Sequence, residues 1–204
     1  MKVKELFEEE VISIASRIND TTKNRRFLNN PKSLDCSFLH LNSLDGSPER
    51  IANDFDCSNN DLKSLKGGPK SVGGDFVCYA NPLVSLDFAP HFIGGTINFA
   101  TCEVFSFGNL NCEVRSHVFG SNNKFTSLHN IHKHFTFIGG MARFKETPIT
   151  SCVLGLLLIK GLRTVYLDNK EVQVILNKHL RGDRDIFACQ EELIEAGFED
   201  YAQL

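Results

Sequence analysis

Residues 54–65 read Asp-Phe-Asp-Cys-Ser-Asn-Asn-Asp-Leu-Lys-Ser-Leu, and residues 75–86 read Asp-Phe-Val-Cys-Tyr-Ala-Asn-Pro-Leu-Val-Ser-Leu. The two segments align after a shift of 21 residues, with Phe, Cys, Asn and two Leu at the same places. Other copies of the pattern begin at Leu34, Ile97, Val118, Ala142 and Val165. The copy at Ala142 arrives three residues late, and the one at Val165 is degenerate. Such repetition predicts an elongated stack of coils, each in contact with its neighbours.

The repeated core, with Leu and Phe around an Asn or Cys, resembles the leucine-rich repeat. The resemblance implies an α/β solenoid of six or seven coils of 21 residues with one parallel sheet. Alternation in each coil predicts a short strand, in which Phe55 and Cys57 point inward. Gly and Pro recur in the return halves, as at 67–69 and 73–74, and predict loop-like outer sides because neither residue suits a helix.

Two kinds of recurring residue predict ladders inside the stack. Asn60, Asn81 and Asn123 follow the strands, and we expect their amides to satisfy main-chain groups of adjacent coils. Three of the seven cysteines share one register position, and we expect a buried row of thiols there: Cys36, Cys57 and Cys78. A disulfide or metal framework is disfavoured, because same-face neighbours seldom have the geometry for a bridge and no Cys-x-x-Cys pair occurs.

The two ends of the chain depart from the repeat. Apolar residues at spacings of three and four predict an amphipathic helix over residues 1–20. Two further helices are predicted after Asp168-Asn169 and between 185 and 204. We therefore divide the chain into an N-terminal helical cap and linker (1–32), the solenoid (33–167) and a C-terminal helical cap (168–204). Alternatively, the first helix docks on another chain, and the acidic tail meets a basic surface.

Composition excludes several classes of function. The formal net charge of −3 gives no overall argument for nucleic-acid or membrane binding. The apolar run between 151 and 161 is too short to span a bilayer, and no hydrophobic signal segment follows Met1. These features predict a cytoplasmic protein without a cofactor. The open ends and sheet edges of a solenoid leave pairing with a second copy as an alternative.

The motif Asp-Cys-Ser-Asn-Asn-x-Leu-x-Ser-Leu-x-Gly-x-Pro-x-x-Val-Gly-Gly is intact at 56–74. It is similar to the short repeats of a leucine-rich-repeat-like family in tailed bacteriophages. The segments 166–172 and 189–197 resemble the usual ending of that group, so the resemblance covers residues 31–204. It implies a small phage accessory protein in the host cytoplasm, and by analogy one that binds and inhibits or redirects a host protein, such as a component of antiviral defence.

The strand residues that point away from the core are free to serve function. They run from acidic in the first coils, through apolar and aromatic in the middle, to basic in the sixth coil. Aromatic anchors flanked by charges are typical of a protein-binding face. The alternative is a solvated sheet with scattered apolar groups. The predicted partner-binding residues are Asp54, Asp56, Asp75, Val77, Tyr79, Asn98, Phe119, Arg143, Lys145 and Tyr166.

An enzymatic alternative depends on the fifth coil, which carries an insertion rich in histidine. His117, His129, His132 and His134 could hold a metal for a hydrolase-type reaction, although no Cys or carboxylate stands at a matching local spacing. The sequence contains no nucleophile elbow or Ser-His-Asp order. We therefore predict no catalytic, metal or cofactor residue, and a protein as the partner.

Overall fold

The computed structural model describes Ser13, Ile14 and residues 32–204 of the chain. The predicted N-terminal helix lies outside the described residues except for two positions. Ser13 forms a parallel bridge with Ser43, and Ile14 is fully buried.

Twelve short strands and four helices make up the described chain. The strands are β1 (Leu34–Asp35), β2 (Arg50–Ile51), β3 (Phe55–Asp56), β4 (Ser71–Val72), β5 (Phe76–Val77), β6 (Phe92–Ile93), β7 (Ile97–Asn98), β8 (Cys112–Val114), β9 (Val118–Phe119), β10 (Phe135–Ile138), β11 (Met141–Arg143) and β12 (Thr164–Tyr166). The helices are α1 (Ile131–His134), α2 (Gly155–Leu158), α3 (Lys170–Arg181) and α4 (Ile186–Glu195).

The strands form a parallel β-solenoid of about six turns, as the repeat predicts. A seven-stranded sheet has the order β1-β3-β5-β7-β9-β11-β12, and neighbouring strands pair in register at the repeat spacing, as in Leu34 with Phe55 and Phe55 with Phe76. We number six coils, each of which begins at or just before a strand of this sheet and ends before the next one. Their ranges are 33–53, 54–74, 75–95, 96–116, 117–140 and 141–163.

The return half of each coil differs from the prediction. Instead of loops alone, it contains a second parallel sheet, of five strands in the order β10-β8-β6-β4-β2. Several inward residues of this sheet are β-branched, as at Val72 and Ile93, and both of these are fully buried. Prediction of a single sheet was therefore wrong, because two-residue strands leave little alternation to detect.

Glycine pairs mark the corner after three of the five strands of the second sheet, β4, β6 and β10. A Cβ on Gly94 would lie 2.0 Å from the main-chain oxygen of Gly73, and one on Gly73 would lie 2.0 Å from that of Ala52. Neither glycine has a positive φ. Close approach between coils, and not left-handed backbone, is what requires glycine at this corner.

Both predicted ladders are confirmed. The Asn60 amide donates to the carbonyls of Cys36 and Cys57 at 2.9 and 3.0 Å and accepts from the N–H groups of Leu39 and Leu41. Asn81 and Asn123 donate to the corresponding carbonyls of later coils, and each accepts from one main-chain N–H, of Leu62 and Val104 respectively. Each amide thus joins its own coil to the preceding one.

The thiols of Cys36, Cys57 and Cys78 are fully buried and free. Burial raises the pKa of Cys57 and of Cys78 well above that of an exposed thiol. Neutral thiols therefore fill this part of the core as small apolar groups.

The two C-terminal helices begin close to the predicted residues, and the last one ends at Glu195, before the end of the predicted range. Asn169 accepts hydrogen bonds from the N–H groups of Glu171 and Val172 at 3.1 Å and starts α3. Asp185 starts α4 in the same way. On α3, Val172 is fully buried whereas Val174 is 66% exposed.

Side chains of α3 also meet the last strand. Asn177 accepts from the N–H of Val165 at 2.8 Å and donates to its carbonyl at 2.9 Å, and Gln173 accepts from the N–H of Leu167 at 2.9 Å. The β12 edge of the seven-stranded sheet is therefore hydrogen-bonded by side chains of α3. Over the described part of the chain, no helix combines the length and apolar content needed to cross a membrane.

Candidate partner-binding face

The seven-stranded sheet presents three parallel rows of residues on the side away from the core, which we call the sheet face. The first row is Ser33, Asp54, Asp75, Thr96, His117, Met141 and Thr164. The second row is Asp35, Asp56, Val77, Asn98, Phe119, Arg143 and Tyr166, which the strand register places side by side. The third row is Ser37, Ser58, Tyr79, Ala100, Ser121, Lys145 and Asp168. Neighbours within a row lie about 4.8 Å apart.

The first row forms a chain of hydrogen bonds between coils. Asp54 accepts from the main-chain N–H of Asp75 at 2.9 Å, and Asp75 accepts from that of Thr96 at 2.6 Å. The Nδ1 of His117 accepts from the N–H of Met141 at 3.1 Å. The carboxylates of Asp54 and Asp75 thus have a structural role, and their predicted contact with a partner stays a prediction.

Carboxylates of the second row are also used by the chain itself. Asp56 Oδ1 accepts from the main-chain N–H of Ser58 at 2.9 Å and from its hydroxyl at 2.6 Å. Asp35 holds Ser37 in the same way, at 3.0 and 2.6 Å. In the fourth coil the Asn98 side chain accepts from the N–H of Ala100 at 3.1 Å. The acidic coils therefore hold their own carboxylates in place.

The fifth coil breaks this pattern. Ser121 occupies the third-row position of Ser37 and Ser58, but the second-row residue beside it is Phe119, whose ring accepts no such bond. The Ser121 hydroxyl is buried and has no hydrogen-bond partner. The Phe119 ring lies 6.0 Å from the ring of His117, centre to centre. The Ser121 hydroxyl is thus a hydrogen-bond donor without an acceptor among the described residues, in the coil where Phe119 replaces the Asp of the first two coils.

The sixth coil places a cation next to this donor. Arg143 pairs in register with Phe119 on one side and Tyr166 on the other. It is exposed, and within residues 32–204 its guanidinium has no hydrogen-bond or ion-pair partner. Lys145 differs, because its ammonium group donates to the carbonyl of Leu167 and lies 3.9 Å from Asp168.

These residues surround one concavity of about 550 Å³ on the sheet face. Its lining is Asn98, Ala100, Phe119, Ser121, Met141, Arg143 and Tyr166. Four of them belong to the predicted partner-binding set: Asn98, Phe119, Arg143 and Tyr166. The prediction missed Ala100, Ser121 and Met141. The replacement of Asp by Phe beside a retained Ser was the sequence signal for Ser121.

The other predicted face residues lie outside this concavity. Val77 and Tyr79 are half-buried neighbours in the third coil. Asp54, Asp56 and Asp75 lie toward the N-terminal end of the sheet. The predicted set therefore spans two regions. In the first coils the Asp carboxylates are hydrogen-bonded within the chain, and around the concavity the donors Ser121 and Arg143 have no acceptor among the described residues.

Three histidines of the enzymatic alternative, His117, His129 and His134, have separate partners, whereas the Nδ1 of His132 is buried and has no hydrogen-bond partner among the described residues. The Nδ1 of His129 lies 2.5 Å from the main-chain oxygen of Leu204, and that of His134 lies 3.2 Å from the oxygen of Leu110. Burial, followed by the charges of Lys133, His134 and His129, lowers the pKa of His132. The insertion forms a turn of helix, α1, in which Ile131 is buried in the core. Across residues 13–14 and 32–204, no three His, Cys, Asp or Glu side chains are grouped so that they could hold a metal ion.

Comparisons with known proteins add no relative to this description. No family model matches the chain, and neither a curated protein nor a solved structure matches it. The case for function therefore depends on the geometry of the sheet face.

Proposed function

We propose that the protein is a protein-binding module that contacts its partner through the sheet face. The observation that carries the proposal is the concavity around Phe119, Arg143 and Tyr166. Aromatic and arginine side chains dominate the binding energy of protein interfaces. Here Arg143 is exposed to solvent between the half-buried Phe119 and Tyr166, and its guanidinium has no intramolecular partner among the described residues.

The scaffold that presents this face is proposed to be leucine-rich-repeat-like, with helical caps at both ends. The repeat spacing and the ladder at Asn60, Asn81 and Asn123 support the class. The bonds from Gln173 and Asn177 to the last strand support a capping role for α3. Such a cap shields a strand edge that would otherwise pair with another chain.

The biological setting is a proposal from the resemblance of residues 31–204 to short-repeat proteins of tailed bacteriophages. In that setting the module acts in the cytoplasm of the infected cell, where it binds a host protein and inhibits or redirects it. A component of antiviral defence is the partner class that this analogy favours. No catalytic step is part of the proposal.

A tagged pull-down from a phage-susceptible bacterial lysate, read by mass spectrometry, tests the proposal. We expect the wild-type protein to retain one stoichiometric protein, and the double variant Phe119→Ala/Tyr166→Ala to lose it. Phe105→Ala is the matched control, because Phe105 is 61% exposed and does not belong to the sheet face. A separate Tyr79→Ala variant tests whether the interface extends into the third coil.

Equal capture by the wild type and the folded double variant would remove the sheet face as the binding surface. Loss of capture in Phe105→Ala alone would move the site to the other side of the solenoid.

A further inference from the structure

The sheet face contains a repeated arrangement that binds a carboxylate. In the first coil, Asp35 receives both the main-chain N–H and the hydroxyl of Ser37, and in the second, Asp56 receives both from Ser58. The hydroxyl contacts are 2.6 Å long in both coils, a length typical of O–H donors on charged carboxylates. The backbone turn after each strand therefore presents two donors to one carboxylate oxygen.

The fifth coil retains the donors but lacks the carboxylate. Ser121 stands at the position of Ser37 and Ser58, while Phe119 stands where those coils have Asp. The Ser121 hydroxyl is accordingly buried without a partner. Buried polar groups in folded proteins are nearly always paired, so the unpaired hydroxyl of Ser121, a residue that lines the concavity, indicates a missing acceptor.

A positive charge lies beside the missing acceptor. Arg143 is the next residue of the second row, and a guanidinium offers a planar set of donors that matches a carboxylate. The first three coils have no cation at this place in the sheet, since their second-row residues are Asp35, Asp56 and Val77. The fifth and sixth coils thus combine the donors of the repeat with a charge that the repeat lacks.

The remaining walls of the concavity are largely apolar. Phe119, Met141 and Tyr166 surround the polar donors, and Ala100 lies on the side of the fourth coil. The volume, about 550 Å³, is within the range of sites that enclose a small group of atoms. The chemistry therefore fits a carboxylate with an apolar group beside it.

The rest of the sheet face indicates which molecule supplies that carboxylate. The acidic residues Asp35, Asp54, Asp56 and Asp75 continue the face beyond Asn98 and would repel a continuous polyanion such as a nucleic acid. The sheet spans six inter-strand spacings, or about 29 Å, which matches an extended segment of about nine residues. A second copy of the whole chain would need a larger contact for stable pairing, about 800 Å² on each side.

We propose that the concavity binds the side-chain carboxylate of an acidic residue, with an adjacent apolar residue, from an extended segment of the partner protein. The carboxylate takes the place in the fifth coil that Asp35 and Asp56 occupy in the first two. It accepts from Ser121 and Arg143, and the apolar residue packs on Phe119, Met141 and Tyr166. This inference rests on the proposed function and names the chemistry of the partner.

Titration followed by ¹H–¹⁵N NMR tests the inference with two capped peptides, acetyl-Ala-Glu-Phe-Ala-amide and acetyl-Ala-Gln-Phe-Ala-amide. We expect the Glu peptide to give saturable shifts at the Ser121 N–H and the Arg143 Nε–H. Binding of the Gln peptide should be about tenfold weaker, because a charged acceptor is replaced by a neutral one. Equal affinity for the two peptides would overturn the inference.

Variants of the full chain locate the contact. Arg143→Gln and Ser121→Ala should each lower the affinity for the Glu peptide, by about tenfold in the case of Arg143→Gln. Arg181→Gln is the matched control, because Arg181 is an exposed cation at the end of α3. Unchanged affinity in Arg143→Gln would contradict the inference.

Two substitutions at one position separate the carboxylate from the apolar wall. Phe119→Asp restores the Asp–Ser pair of the first coils, so its own carboxylate should occupy the donors and abolish peptide binding. Phe119→Leu keeps an apolar wall and should therefore weaken peptide binding much less than Phe119→Asp does. Full binding by Phe119→Asp would show that the Ser121 donors are not used.

Three further outcomes would overturn the claim that a partner protein supplies the carboxylate. Sodium acetate producing the full shifts at the peptide concentration would indicate a small-molecule carboxylate. Tighter binding of a phosphoserine peptide would indicate a phosphate. Self-association of the wild type, lost in Arg143→Gln by sedimentation velocity, would indicate a second copy. Failure of the peptides while Phe119→Ala/Tyr166→Ala still loses the captured protein would reject the carboxylate and leave the proposed function standing.

Discussion

The second coil and the fifth coil share a strand in the seven-stranded sheet and the turn that follows it, but use their outward residues differently. In the second, Asp56 binds Ser58 and Asp54 binds the next coil, so each carboxylate has a partner within the chain. In the fifth, Phe119 leaves Ser121 unpartnered, and Arg143 follows it without an acceptor in the described residues. The comparison teaches that positions which obey the repeat build the solenoid, whereas departures from it mark the candidate site.

The same two coils also differ inside the core. The inward row begins with three thiols, at Cys36, Cys57 and Cys78, and continues with Phe99, Gly120 and Phe144. A Cβ on Gly120 would lie 2.4 Å from the Phe99 ring and 3.1 Å from the Phe144 ring. In the later coils the rings of Phe99 and Phe144 thus fill the space next to Gly120, whereas the first three coils each have a cysteine at this position.

The largest effect should follow from imposing the thiol row on the fifth coil. Gly120→Cys should lower the free energy of unfolding by about 3 kcal/mol, because the new side chain overlaps the Phe99 ring in a packed core. Urea denaturation followed by circular dichroism measures the loss. Phe99→Leu/Gly120→Cys should lose less than the sum of the two single changes. Simple additivity would contradict the packing explanation.

Removal of one rung of the Asn ladder should have the next largest effect. Asn81→Ala leaves the carbonyls of Cys57 and Cys78 and the N–H of Leu62 without their partner. We expect a loss of about 2 kcal/mol in the free energy of unfolding, since buried polar groups are orphaned. Thermal unfolding gives the measurement, and Asn111→Ala, at an exposed position, is the control. An unchanged melting temperature for Asn81→Ala would remove the ladder as a source of stability.

The fourth coil allows the reverse substitution. Cys102 stands at the ladder position and makes only long contacts, 3.5 Å to the carbonyl of Cys78 and 3.7 Å to that of Ala100. Cys102→Asn should therefore raise the free energy of unfolding by about 1 kcal/mol. A lower melting temperature would show that the fourth coil has adapted its packing to sulfur.

A smaller gain is expected at the turn that follows each strand. Ala80 has φ 53°, the left-handed region that Asn59 and Asn122 occupy in neighbouring coils. Ala80→Gly should raise the free energy of unfolding by about 0.5–1 kcal/mol, because a Cβ is strained in this region. Ala100→Gly, in ordinary backbone, should instead lower it by a similar amount. Equal signs for the two changes in urea titrations would refute the strain.

Much of the fold could be predicted from sequence because the repeat states it several times. The positions of Phe55, Asn60 and Leu62 recur at one spacing, so each copy supports the assignment of the others. The second sheet was harder to detect, although Ile51, Val72 and Ile93 stand at the same spacing and are β-branched. Two-residue strands give too little alternation to be separated from turns.

The site could be predicted only in part. Outward positions follow from alternation, and this placed Phe119, Arg143 and Tyr166 on one face. The roles of Asp54 and Asp75 could not be read in this way, because their partners are main-chain N–H groups that no residue type reveals. The bonds from Asn177 and Gln173 to the last strand likewise depend on how α3 packs.

The most direct test of the central claim compares Arg143→Gln with Arg181→Gln in the lysate pull-down, with thermal unfolding of both. The free energy of unfolding of each variant should lie within about 0.5 kcal/mol of the wild-type value, since each loses only an exposed charge. We predict that Arg181→Gln retains the captured protein and that Arg143→Gln loses it. Capture of the same protein in the same amount by Arg143→Gln would contradict the assignment of the fifth and sixth coils as the binding site.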